Sequence, residues 1–276
     1  MANLLIRSVL MLLALLAAPL QAATLTFGVV PQESAGRLAE QWTPLMRMLS
    51  AELGVPVRFA TAPDIPTFER RVLEGQYDIV YMNPYHYVEF SSSPGYRAIA
   101  REGDKRIHGI VVVAESNPAT GLEALEGQTV AFPAPAAFAA TLLVRAELER
   151  LGVRYTPQFV GSHESVYLNV AKGFAVAGGG IERTYHRALK TGLEGVRVLW
   201  RSKGYTPHAF AVHPDVEPEW GRRLQQLLVA LGQNEDGRAL LERLNVSPIV
   251  PAADSDWDDV RGLGLDLITT PGEDAL

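Results

Sequence analysis

Apolar residues along this chain fall into short runs rich in β-branched side chains, separated by stretches with helical spacing. Residues 24–30 are the first such run and predict a strand. A loop at 31–34 follows, and then Leu38, Trp42, Leu45, Met46, Leu49 and Leu53 recur on one helical face. Gly54 closes that helix, 55–59 is a second strand, 66–73 is a helix stopping at Gly75, and 77–81 is a third strand. The alternation predicts a parallel sheet covered by helices. The order then repeats, with a strand at 129–132, a loop at 133–137 and a helix at 138–150. Leu151-Gly152-Val153 ends this helix as Leu53-Gly54-Val55 ends the earlier one, and Gly54 to Gly75 and Gly152 to Gly173 both span 21 positions. Matched glycines alone arise by chance; joined to the same element order they favour two similar α/β lobes.

The strand at 109–113 lies between the two units and suits a crossing from one lobe to the other. Strands at 196–200 and 209–212 carry the chain back, and helices at 219–231 and 234–244 are expected on the first lobe. Residues 257–268 read as a C-terminal segment and 269–276 as a loose tail. The predicted organisation is lobe 1 at 23–109 and 209–276, lobe 2 at 110–208, with two hinge strands between. Such a molecule has a cleft that closes on a small ligand.

Composition narrows the setting. Residues 1–22 resemble a secretory signal, with Arg7 the single charge, an apolar run from 8 to 20 and small residues at 22 and 23. The run is short for a membrane span, and no second one reaches that length. Removing it would take the net charge from -6 to -7, mildly acidic, with the basic residues scattered, which argues against nucleic acid. There is no cysteine, hence no disulfide framework and no lipidated cysteine. An exported, monomeric protein of a bacterial periplasm fits these facts.

For catalysis the signals are missing: no Gly-x-Ser-x-Gly elbow, no Walker loop, no His-Glu-x-x-His and no cysteine nucleophile. His163 and Glu164 are sequence neighbours and point apart on a helix. The expectation is a binding protein, not an enzyme, with no cofactor. Anion binding is better supported, since each unit sets a helix start after its first strand, at 31–37 and 133–141, where free N–H groups and the helix dipole favour negative charge. The stretch 77–87 ends a strand on Asn83-Pro84 amid aromatic and imidazole groups, which marks either a pocket wall or a buried strand with an Asn-Pro turn. His86, His108, His163 and His208 fall beside predicted strand ends or hinges, and each alone is an ordinary surface or core histidine. Gly178-Gly179-Gly180 is either a close approach to ligand or a flexible turn between strand and helix.

The segments 27–34, 41–45, 53–55, 77–84, 130–132 and 161–164 together resemble the phosphate/phosphite/phosphonate-binding proteins of ABC importers. The resemblance spans about 25–243 and implies the bilobed α/β periplasmic-binding-protein fold, with solute held between the lobes. It also implies a partner, either an importer's permease or the periplasmic domain of a sensor kinase. The ligand shell departs from the family. Ala137-Phe138-Ala139 stands where a Ser-Thr-Ser run is typical, Ile65 replaces a tyrosine, and acids expected near Arg183 and near His208 or Ala209 are absent; His163 alone matches. The expected pocket is therefore more apolar and aromatic, and its ligand is a small anion. Amides of Phe138, Ala139, Ala140 and Thr141 would face it, and His163, His86 and His208 would donate hydrogen bonds, with Gln32 and His108 nearby. Ile65, Tyr81, Asn83 and Tyr85 would shape the first-lobe wall, and Gly179 and Gly180 would close the floor. The alternative keeps the fold and makes the ligand a metal or metal chelate held by the histidines. A hydrolase or transferase, or a regulatory docking surface with a dead cleft, are more distant readings.

Overall fold

The structure, a computed structural model, describes residues 24–265; the predicted signal at 1–22 and tail at 269–276 lie outside them. Two sheets organise the fold. The first holds β1 (Leu25–Val29), β2 (Val57–Ala60), β3 (Ile79–Met82), β4 (Arg97–Glu102), β10 (Ala209–Val212) and β11 (Ile249–Pro251), in the order β11-β4-β10-β3-β1-β2. The second holds β5 (Gly109–Ala114), β6 (Thr129–Phe132), β7 (Thr156–Phe159), β8 (Ala177–Ile181) and β9 (Val196–Arg201), in the order β7-β6-β8-β5-β9.

The internal repeat is real at this level. β2-β1-β3 and β7-β6-β8 are parallel triplets, each flanked by an antiparallel strand that arrives from the other lobe, β10 in one and β5 in the other. The four glycines of the repeat, Gly54, Gly75, Gly152 and Gly173, all hold φ between 68° and 73°. That is left-handed backbone, the reason glycine stands where each unit's helices end. The lobes are joined by the chain before β5 and the chain before β10, which touch through an antiparallel bridge between Ile107 and Tyr205.

Helix α1 (Ala35–Leu53) buries Leu38, Trp42, Leu45, Met46, Leu49 and Leu53, the six residues of its predicted apolar face. Fully buried leucines such as Leu45 and Leu49 contribute roughly 2 kcal/mol each by area removed from water. α2 (Ile65–Leu73) is capped by Asp64, whose side chain accepts from the Thr67 N–H. The Asn-Pro turn proved to be a helix start, with Asn83 capping α3 (Pro84–Ser92) and Pro84 at its first position. A π-helical turn, Phe138–Leu142, runs into α4 (Leu143–Arg150), and α5 (His163–Ala171) is capped by Ser162. Directly after β8 comes α6 (Glu182–Lys190). α7 (Pro218–Ala230) and α8 (Glu235–Leu244) cover the first sheet, and α9 (Asp258–Arg261) follows the buried Trp257, whose indole donates to Pro207 O at 2.9 Å.

The glycine run is a second correction. Gly178, Gly179 and Gly180 are the middle of β8, paired to β5, not a turn. A Cβ on Gly178 or Gly180 would strike Val166 or Tyr167 of α5, and one on Gly179 the Ala140 carbonyl. Their backbone approaches protein from both sides, so the proposed ligand floor at Gly179 and Gly180 is packed by helices.

Candidate functional site

The lobes meet along a face built by chain ends: the loop after β1, the starts of α2, α3, the Phe138 turn and α5, and the hinge before β10. Between them lies a hollow of about 10 Å³, scarcely room for one water. Its second-lobe wall is Phe138, Ala139, Ala140 and His163; its first-lobe wall is Gln32, Ile65 and Asn83, with His208 at the hinge. Those eight residues of the predicted set converge. Asn83 serves twice: Oδ1 caps α3 by accepting from His86 N at 2.8 Å, and Nδ2 donates across the cleft to Ala136 O at 3.3 Å.

The hollow's second-lobe wall carries orphan donors. Phe138, Ala139 and Ala140 occupy the first turn of their helix, where N–H groups have no intrahelical acceptor. His163 is 2 % exposed, and its Nδ1 has no hydrogen-bond partner. Burial, with the Arg183 charge adding to it, lowers its pKa to about 3, so the ring is neutral.

His208 stacks on Tyr81, centroids 5.0 Å apart, and its Nε2 lies 2.8 Å from Gln32 Nε2. Gln32 Oε1 accepts from Arg183 Nη2 at 2.9 Å, which fixes the amide with its NH2 toward His208. His208 Nε2 must then accept, so its proton sits on Nδ1. Burial first, and the Arg183 charge second, hold the His208 pKa well below its ordinary value, in agreement with a neutral ring. Tyr81 stands one layer behind the hollow, its hydroxyl pushed up to about 12 by burial and accepting from Arg183 Nη1 at 2.7 Å.

Other predicted residues point elsewhere. His86 Nε2 lies 2.8 Å from Glu69 Oε1 of α2, its ring packed on Phe68 and Phe90 inside the first lobe. Tyr85, on the same helix, is buried and stands apart from the hollow's lining. Thr141 spends its hydroxyl on Ala134 O and its N–H on Ala137 O, holding the loop rather than facing solute. His108 lies by the hinge on an outer cavity, Nδ1 3.0 Å from Ser202 O. Among the described residues no group of three or more His, Asp or Glu side chains is placed to hold a metal ion, so the metal alternative has no ligand set.

The residues missed in the sequence are the arginines of α6. Arg183 and Arg187 stand one turn apart on one face and both reach into the first lobe. Arg183 Nη1 donates to Tyr81 and, at 3.2 Å, to Glu102 Oε1. Arg187 donates to Glu33, to Gln41 Oε1 at 3.0 Å and to Leu244 O at 3.2 Å. A rim pair, Arg37 to Glu164 at 3.5 Å, adds little because both side chains keep more than a third of their surface in water. The sequence signal was present in the i, i+4 arginines after β8, and only tertiary placement shows what they reach. Arg183→Met would leave the 3 %-exposed Glu102 with the Ser247 N–H as its remaining donor. The expected loss is about 3 kcal/mol in urea denaturation, as when one partner of a buried pair is removed; a loss below about 1 kcal/mol, the range of exposed pairs, would show that the pair is dispensable.

The family model described as "ABC transporter, phosphonate, periplasmic substrate-binding protein" matches residues 27–257. The chain belongs to this family. Its members are periplasmic substrate-binding proteins of ABC transporters, transport proteins rather than enzymes, and their fold is the bilobed one described above. The phosphate-import protein PhnD of Mycolicibacterium smegmatis is 23% identical over 281 residues, covering 86% of this chain and 84% of that protein. PhnD1 of Prochlorococcus marinus, solved with methylphosphonate, superposes with a TM-score of 0.82 at 17% identity, over 88% of this chain and 98% of that one. A binding protein of an ABC phosphonate transporter from Pseudomonas aeruginosa gives the same TM-score and identity, over 88% and 86%.

Proposed function

We propose that this protein captures a small oxyanion of the phosphate or phosphonate type in the interlobe hollow. The observation that carries the reading is the buried, unpartnered Nδ1 of His163 beside the free first-turn amides of Phe138, Ala139 and Ala140. An unsatisfied buried polar atom costs roughly 1–3 kcal/mol, and an anion oxygen placed there removes that cost. The relatives named for phosphate import and solved with methylphosphonate support the ligand class. The hollow of about 10 Å³ and the Phe138 ring favour a compact head group, and the lobes must part to admit it. Arg183, near where the family resemblance implies an acid, supplies positive charge beside the hollow.

Around this site the remaining assignments follow as proposals: a cleaved signal at 1–22, a periplasmic location, a monomer, and lobe boundaries at 109/110 and 208/209. The recipient is an ABC permease, with a periplasmic sensor domain as the alternative reader of the closed form. The test is calorimetric titration with phosphate, phosphite, methylphosphonate and sulfate. At least one is expected to bind, and His163→Ala to weaken it about tenfold, the equivalent of one hydrogen bond to a charged group. Equal affinity in the variant removes His163 from the site, and silence from all four anions removes the ligand class.

A further inference from the structure

Back to back with the hollow, across Ile107, Ile181 and His208, lies a second and far larger cavity of about 450 Å³. It opens between the hinge, α6 and the C-terminal end of α8. Its charge is out of character for the chain. The protein as a whole is net negative, and many of its surface arginines are matched to an acid, as in Arg101–Asp256, Arg150–Glu147 and Arg201–Glu182. Here Lys105 from the hinge, Lys190 from α6 and Arg243 from α8 converge on one space, and none forms an ion pair among the described residues.

The acids on the same wall do not neutralise them. Glu102 is engaged by Arg183 and the Ser247 N–H, and Glu182 by Arg201, which leaves Glu242 as the one acid there outside an ion pair. Arg183 and Arg187 also line the cavity. Each makes three hydrogen bonds to the first lobe, so two of the five N–H donors of each guanidinium remain. His108 and His186 add two imidazoles. Cations from three separate elements, set about a concave space with Glu242 as the one unpaired acid among them, repel one another unless an anion joins them.

We propose that this cavity is a second ligand site, one that binds a small, multiply charged anion carrying phosphoryl or carboxylate groups. It differs from the interlobe hollow in size and in charge. The volume admits a solute of pyrophosphate or citrate size, which the hollow cannot hold. Lys105, Lys190 and Arg243 supply the charge, and the spare donors of Arg183 and Arg187 form the inner wall.

Calorimetry at low ionic strength with pyrophosphate and with citrate tests this, on the wild type, on the Lys190→Glu/Arg243→Glu double variant, on Lys105→Glu and on His163→Ala. The charge reversals are at exposed positions, and thermal unfolding checks that each variant is folded. Wild type is expected to bind at least one of the two anions at one site, with affinity falling as salt rises. The double variant should bind at least tenfold more weakly, Lys105→Glu at the hinge several-fold more weakly, and His163→Ala as wild type. Which anion binds separates phosphoryl from carboxylate ligands. Binding lost in His163→Ala but kept in the double variant would place the anion in the hollow and overturn the proposal. So would no binding of either anion at millimolar concentration, whatever the hollow does with phosphate.

Discussion

Gly179→Ala is expected to destabilise the protein by about 3 kcal/mol, at the upper end of what overpacking a core costs. The new methyl would overlap the Ala140 carbonyl oxygen and sit 2.8–2.9 Å from two ring carbons of Phe132. A backbone carbonyl cannot swing aside as a side chain can, so the whole start of the Phe138 helix must move off the sheet. Gly109, on the neighbouring strand β5, has the same relation to the Ala139 carbonyl. The two glycines thus set how closely the first-turn amides approach the second sheet, and through that the geometry of the hollow. The variant should therefore lose affinity for an oxyanion as well as stability. Gly36 is the control: it lies inside α1, a Cβ there meets nothing within 4 Å, and alanine should be neutral or stabilise by up to about 1 kcal/mol. Guanidinium denaturation of both variants decides; a Gly179→Ala protein within about 0.5 kcal/mol of wild type, the range of an innocuous surface change, would mean that the helix start is not pinned there.

That contact also shows where sequence reading stops. The repeat was legible because it rests on local chemistry: apolar spacing on α1 and glycines whose left-handed backbone ends a helix. α3 was not, because Tyr85, His86 and Tyr87 are all buried and leave no polar face to reveal a helical period. β7 failed for the opposite reason, being exposed throughout and lacking alternation. The glycines of β8 look like a turn in sequence, and only the helices packed against them explain their presence. Of the histidines, His163 and His208 sit where a cleft reading puts them, but the turn of α3 carries His86 round to Glu69. The pairs made by Arg183 and Arg187 join positions from 57 to 154 residues apart, beyond the reach of any local pattern.

The same closed cleft predicts a steep acid sensitivity. His163 titrates at about 3 in the folded protein, and His208 is also held well below the ordinary histidine value, in both cases because burial disfavours the charged ring. In the unfolded chain both take a proton near pH 6.5. Between those values the unfolded state binds more protons, so stability is fully present above about pH 6.5 and is lost as pH falls toward 3. Each histidine contributes a slope of roughly 1 kcal/mol per pH unit once the pH is clearly below 6.5. The affected carboxylates, Asp64, Glu126, Glu147 and Glu182, have lowered pKa values, chiefly through hydrogen bonds, and weaken the fold only nearer their own range, below about pH 4.5. The window from pH 6.5 to 5 therefore reports the imidazoles. Urea denaturation at pH 7, 6 and 5 should show a decline that is roughly halved in His163→Gln, since one of the two buried rings is gone. A bound oxyanion opposes this effect: its charge favours imidazolium, so binding should take up a proton and the loss should shrink when the anion is present. A wild-type profile flat from pH 7 to 5, or a His163→Gln profile as steep as the parent's, would mean that His163 is solvated and the cleft open in solution.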